Sequence, residues 1–130
     1  MKYAYPAIFA KEDDGIIVRF PDVPGAFTDG GTMEEAWENA EDVLNLMLMG
    51  MEDDKDDIKP PTKLSDIHIQ AEESVMMVRA DTGTYRKKVD TRSVRKNISI
   101  PGWMDTALKA QNINLSNFVQ NALQRELGIN

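Results

Sequence analysis

Apolar residues fall in short runs up to Thr28 and then recur at three- and four-residue steps, a change from strand to helix periodicity. Residues 3–10 (Tyr-Ala-Tyr-Pro-Ala-Ile-Phe-Ala) are rich in strand formers, and Pro6 within them calls for an edge position. Lys11, Glu12, Asp13, Asp14 and Gly15 have the composition of a hairpin turn, with residues 16–20 as the return strand. Pro21 and Pro24 cannot donate to a ladder and interrupt it. Residues 26–28 then form a short third strand, closed by Asp29-Gly30-Gly31.

The helix that follows is the clearest element. Thr32 with Glu35 three residues on is a capping box, which satisfies two orphan amides at the helix start. Met33, Ala36, Trp37, Ala40, Val43, Leu44, Met47, Leu48 and Met51 make one apolar face, with Glu34, Glu35, Glu38, Glu41 and Asp42 on the rest. Acids in the first turns also suit the positive end of the helix dipole.

Residues 52–57 read as an acidic loop, 59–62 as extended linker, 67–70 as a short extended piece and 74–80 as a buried fourth strand. The first domain is thus β-β-β-α-β over residues 1–80. Residues 81–92 are a polar connector with room for one helical turn, and 93–130 form a second domain. There, residues 94–100 alternate as a strand stopped by Pro101-Gly102. A first helix carries Trp103, Met104, Ala107, Leu108 and Ala110. Asn112-Ile113-Asn114 breaks it, and Asn114 caps a second helix with Leu115, Phe118, Val119, Ala122, Leu123 and Leu127 apolar, ended by Gly128. The fold class expected is α+β, with a strand-helix-helix unit appended.

Composition narrows the chemistry. Of 130 residues, 42% are apolar and 28% charged, a globular balance. The longest apolar run, Leu46-Met47-Leu48-Met49, is far too short to span a bilayer. The first residues lack a signal-peptide core, so a cytoplasmic protein is expected. No cysteine and one histidine, His68, leave no disulfide, thiolate or histidine-based zinc chemistry, and no cofactor is expected. Net charge is −7 but is unevenly spread: residues 1–74 hold 6 Lys and Arg against 18 Asp and Glu, and residues 75–130 hold 9 against 4. An acidic half facing a basic partner and a basic half facing an anionic one would fit this split.

A strand-helix-helix unit of about 40 residues is too small to bury an adequate core alone, so a homodimer is expected, its single strand pairing with that of a second copy. Two paired strands form a ribbon that fits the major groove of DNA. With Ile98 and Ile100 facing the dimer core, Arg95, Asn97 and Ser99 face outward, where Arg can grip guanine and Asn adenine. Lys96 falls on the core side and would have to snorkel. The start of the second helix, with Asn114 and Ser116, offers amides to phosphate. A plain polar strand face remains the alternative for the same residues.

The run Arg95-Lys96-Asn97-Ile98-Ser99-Ile100-Pro101 with its two short helices resembles the ribbon-helix-helix fold of Arc- and MetJ-type repressors. Residues 20–36, Phe-Pro-Asp-Val-Pro-Gly-Ala-Phe-Thr-Asp-Gly-Gly-Thr-Met-Glu-Glu-Ala, running on to Asn39-Ala40, are similar to the signature of HicB-family antitoxins. The resemblance implies a partial RNase H-like N-terminal domain that binds and inhibits a HicA-like, mRNA-cleaving ribonuclease toxin. It further implies a C-terminal domain that binds operator double-stranded DNA and represses its own operon, as a homodimer or a higher oligomer. On the family pattern the base-reading positions fall on Arg95, Asn97 and Ser99, with phosphate contacts near Asn114 and Ser116. Lys96 departs from the usual apolar residue, and Asn112 stands where a glycine often ends the first helix. Asp22, Asp29, Glu34 and Glu38 are the candidate toxin contacts.

Two other function classes compete. A metal-dependent nuclease would need carboxylates converging on paired ions, from among Asp13, Asp14, Asp22, Asp29 and Glu34, but most of these lie in turns or at a helix start, where acids serve capping and solubility. The chain is therefore expected not to be an enzyme, and His68 to be an exposed loop residue. A free-standing repressor whose N-terminal domain senses a ligand or partner is the other alternative.

Overall fold

The computed structural model describes residues 1–128; residues 129 and 130, the last of the expected second domain, lie outside the described residues. The chain divides into two compact units, Met1–Arg86 and Lys87–Asn130.

The first unit is a four-stranded sheet with one long helix on it. The strands are β1 (Lys2–Glu12), β2 (Gly15–Arg19), β3 (Phe27–Gly30) and β4 (Glu73–Asp81), in the order β3-β2-β1-β4. All pairings are antiparallel. The hairpin between β1 and β2 closes at Glu12 opposite Gly15, a tighter turn than residues 11–15 suggest. β3 continues through Asp29 and Gly30, which were expected to close it.

Pro6 lies in a central strand, not an edge strand, yet the backbone rule holds. β2 pairs with β1 only from Ile8 to Glu12, so Pro6 lies beyond the end of β2. The closing pair of the hairpin sets the ladder phase: even-numbered residues of β1 turn their amides toward β2. The missing N–H of Pro6 therefore faces a side where no strand is left to receive it.

Helix α1 (Met33–Asp53) starts as its capping box requires, the Thr32 hydroxyl accepting from the Glu35 amide at 3.2 Å. Ala36, Ala40, Leu44 and Leu48 are fully buried against Tyr5, Ala7, Phe9, Val18 and Val78 of the sheet. Trp37 stacks on Phe9 with ring centroids 6.1 Å apart. The segment between β2 and β3 is itself part of this core: Phe20, Val23 and Ala26 are buried, and Gly25 takes φ +88°, open to glycine at no steric cost.

From Asp54 to Glu72 the chain has no regular element except a 3-10 turn at Leu64–Asp66. This long return lets β4 enter antiparallel to β1, where a direct β-α-β crossover would make them parallel. The expected connector is more structured than its polar sequence suggests. Helix α2 (Thr82–Val89) begins immediately after β4, with Thr82 and Gly83 buried, and the first unit extends to Arg86 rather than ending near residue 80.

The second unit contains α3 (Gly102–Ala110) and α4 (Leu115–Leu127). Asn114 caps α4 through its side chain, which accepts from the Asn117 amide at 3.1 Å, and Gly128 ends it at φ +69°. Asn112 turns the chain between the helices at φ +54°, a left-handed conformation that asparagine tolerates better than most residues. Residues 94–100 do not form a strand. The physical reason is that a strand needs a neighbour to bond, and no other described segment of this chain pairs with it.

Candidate protein and nucleic-acid interfaces

The acidic residues singled out in the first unit fall into two environments. Asp22 is half-buried, and its carboxylate accepts from both the amide and the hydroxyl of Thr62. That ties the long return segment to the loop after β2, so Asp22 has an internal partner. Asp29, Glu34 and Glu38 are exposed. Asn39 donates its side-chain amide to the Asp29 carbonyl at 2.8 Å and thereby holds β3 alongside the first turns of α1. Next to this junction an open depression is lined by Glu12, Asp13, Asp14, Asp29 and Glu35. Its carboxylates converge on no centre: among the described residues no three of His, Cys, Asp and Glu form a group able to hold a metal ion. His68 is exposed in the return segment.

Two glycines set the spacing here. A Cβ on Gly30 would lie 2.4 Å from the Ala36 amide nitrogen, and one on Gly15 would lie 2.6 Å from the Gly30 carbonyl oxygen. Strand, hairpin and helix can approach this closely only because both residues lack a side chain.

At the opposite end of α1 lies a polar cluster that the periodicity of the sequence does not signal. Glu52 accepts from the Tyr3 hydroxyl at 2.6 Å, from Thr82 Oγ1 at 2.9 Å and from the Arg86 guanidinium at 3.2 Å. Arg86 also reaches Asp53 at 2.8 Å. Burial pushes the Glu52 carboxyl upward, but the hydrogen bonds from Tyr3, Thr82 and Arg86 outweigh it and leave the group below the ordinary carboxylate range. The Tyr3 hydroxyl is pushed strongly up, by burial first and by its bond to Glu52 second. This cluster joins β1, the end of α1 and the start of α2, which is why the unit extends to Arg86.

In the second unit Arg95, Asn97 and Ser99 are exposed, as is Lys96. So, however, are the apolar residues: Val94, Ile98, Trp103, Phe118, Leu123 and Leu127 are each more than half exposed. Neither α3 nor α4 has a buried residue. Asn114 spends its side-chain oxygen on its own helix, while Ser116 stands exposed in the first turn. Divided at the observed boundary, residues 1–86 hold 8 Lys and Arg against 19 Asp and Glu, and residues 87–130 hold 7 against 3. The charge contrast thus follows the two units.

The first unit is thus a four-stranded antiparallel sheet carrying one long helix, and the second holds a pair of short helices with exposed apolar residues. The chain belongs to the HicB-like antitoxin family of bacterial toxin–antitoxin systems, whose pattern matches residues 5–123. It is accordingly an antitoxin-family protein. Antitoxin HicB 2 of Photorhabdus laumondii subsp. laumondii is 32% identical over 71 residues, 55% of this chain and 51% of that one. A 14.9 kDa uncharacterized protein from the rep-hol intergenic region of Haemophilus phage HP1 is 39% identical over 54 residues, 42% of this chain and 41% of its own. The chain spans about half the length of these relatives or less. Among solved structures, a toxin–antitoxin complex from Streptococcus pneumoniae aligns with a TM-score of 0.61 at 19% identity, covering 97% of this chain and 99% of that one. The Burkholderia pseudomallei antitoxin HicB aligns at 0.52 and 19% identity, covering 98% of each chain. At these identities the likeness is one of fold. No helix of the described residues is long and apolar enough to cross a membrane.

Proposed function

We propose that this protein is the antitoxin of a HicBA-type system, with the two tasks divided between its units. The first unit binds and inhibits a small, basic, HicA-like ribonuclease. The second dimerises as a ribbon-helix-helix and binds operator DNA to repress its own operon. A toxin–antitoxin complex among the structural neighbours supports the first task, as does the acidity of residues 1–86.

The observation that carries the second task is the condition of the second unit. It has no buried side chain in either helix and exposes nine large apolar residues among those described, as half of an obligate dimer does. Pairing two copies of residues 94–100 would supply the missing ladder and cover Ile98. The same pairing sends Arg95, Asn97 and Ser99 to the DNA side, with the start of α4 near Ser116 left for phosphate. For the toxin, the exposed Asp29, Glu34 and Glu38 are the contacts this reading retains, while Asp22 is engaged by Thr62 within the first unit. The partial RNase H-like reading of the first unit rests on its three-stranded meander followed by a helix packed on the sheet; the antiparallel β4 is its point of departure.

Purification of the tagged chain from its host, with mass spectrometry of what accompanies it, tests the reading. A stoichiometric small basic protein that arrests growth when expressed alone is expected. Recovery of operator-like DNA with no such protein would favour the free-standing repressor. Changing Asp29, Glu34 and Glu38 together to Lys is expected to slow toxin association by about tenfold or more at low salt. An unchanged association rate would discard those contacts.

A further inference from the structure

Strand phase divides the β2–β3 pairing into two faces. Val18 is buried in the core under α1, Ile16 packs against that core, and Gly30 abuts Ala36. Alternation sends Ile17 and Arg19 of β2, with Phe27 and Asp29 of β3, to the opposite face, where all four are exposed. Arg19 lies opposite Phe27 and Ile17 opposite Asp29, so the two apolar residues are diagonal neighbours. Phe27 is 69% exposed, the highest value for a large apolar side chain between residues 2 and 86. Threonine or valine would hold a strand there equally well without presenting a ring to water.

The backbone of β3 offers little to a partner: it is four residues long, and its Asp29 carbonyl is taken by Asn39. The side chains offer more. Arg19, the cation among the four, is bonded to Glu73 at 2.8 Å, which leaves Asp29 to set the charge beside the ring. Ile17 and Asp29 also line the open depression that holds Asp13 and Asp14. An aromatic ring thus stands next to a row of carboxylates.

We propose that Phe27 is the anchor by which the first unit occupies the RNA-binding surface of the ribonuclease it inhibits, the ring standing in for a base and Asp29, Asp13 and Asp14 for phosphates. Surfaces that bind single-stranded RNA combine flat groups on which bases stack with cations that follow the backbone. Such a surface complements this patch in shape and in charge, whereas a second copy of the patch would set carboxylates against carboxylates. The inference rests on the toxin reading above and adds to it the mode of inhibition, which is exclusion of RNA.

The test measures affinity of the full chain for the small basic ribonuclease that copurifies with it, with and without a 2′-O-methyl oligoribonucleotide that resists cleavage. Phe27→Ser is expected to weaken binding about tenfold to a hundredfold, as loss of an interface hot spot does, and Phe27→Tyr to stay within about threefold of wild type. The oligoribonucleotide is expected to raise the apparent Kd of wild type in proportion to its concentration. Far-UV circular dichroism should be unchanged, since the ring is exposed. Should Phe27→Ser lose its dichroism, Ile17→Thr keeps the strand shape and is expected to weaken binding several-fold. Unchanged affinity in whichever variant stays folded overturns the proposal, and so does wild-type binding that RNA leaves untouched. Retained affinity with a loss of assembly mass in sedimentation overturns it as well, because the ring would then serve a second copy. Absence of any wild-type binding instead removes the toxin reading itself, so the two failures are distinct.

Discussion

Gly30 and Gly31 look alike in the sequence, as the end of a strand and the start of a turn, yet they sit in different surroundings. A methyl group on Gly30 meets the Ala36 backbone at 2.4 Å, and backbone cannot give way as a flexible side chain can. On Gly31 the nearest atom is the Glu35 carboxylate at 3.6 Å, ordinary contact. Gly30→Ala is therefore expected to destabilise the first unit by about 1–3 kcal/mol, the usual cost of overpacking, and Gly31→Ala to change it by less than about 0.5 kcal/mol; urea unfolding distinguishes them. Glu52 supplies the second contrast. Its folded pKa lies below the ordinary value, so its stabilisation is complete above the ordinary carboxylate range and is lost as pH falls through the folded value. Glu52→Gln should cost roughly 1–3 kcal/mol near neutral pH, from the weakened charge-assisted bonds, and should flatten the acid limb of the stability curve. A parallel downward shift at every pH would show that the charge is not what matters. Neither feature was legible beforehand: an acid in an acidic run and a glycine in a pair carry no mark of what touches them.

At the scale of elements, legibility followed how much of the stabilisation is local. α1 announces itself through Thr32, Glu35 and an apolar stripe, because capping and amphipathicity are written within one segment. α4 does the same through Asn114 and Gly128. α2 does not, since Thr82 and Arg86 are held by Met49, Glu52 and Asp53 at the end of α1, a distant segment that no local window includes. Residues 94–100 are the converse case. Their alternation reads as a strand, but a strand depends on a neighbour, and a single chain supplies none. The reading of Arg95, Asn97 and Ser99 as the base-facing set thus belongs to the paired ribbon. Asn97→Ala is expected to weaken operator preference by roughly 1–3 kcal/mol, as loss of one bidentate base contact would, while leaving binding to unrelated DNA almost unchanged. Fluorescence anisotropy on both DNAs at fixed salt measures the difference. Equal affinities before and after the change, on the operator, would mean that the strand has the opposite phase.

For the whole molecule, the informative contrast is between a unit that holds its own core and one that does not. Among the described residues every buried apolar side chain lies between Tyr5 and Ala80, so hydrophobic content alone places the end of the first unit near residue 80. The polar cluster moves it: Thr82 is fully buried, and Arg86 bridges Glu52 and Asp53. A fragment of residues 1–86 is expected to unfold cooperatively at a midpoint independent of pairing in the second unit. A fragment of residues 1–80 leaves Glu52 without Thr82 and Arg86, a half-buried carboxylate short of two partners. Losing partners to a charged group of this kind costs about 1–3 kcal/mol, which for a domain of this size lowers Tm by several degrees. Residues 87–130 should behave in the opposite way, with helicity that rises with concentration, because folding there is inseparable from association. Calorimetry of the two shorter fragments and dichroism of the third across a hundredfold dilution series check all of this together. Equal Tm for 1–80 and 1–86 would place the boundary at the strand end after all, and helicity in 87–130 that ignores dilution would mean that its exposed apolar residues need no second copy to fold.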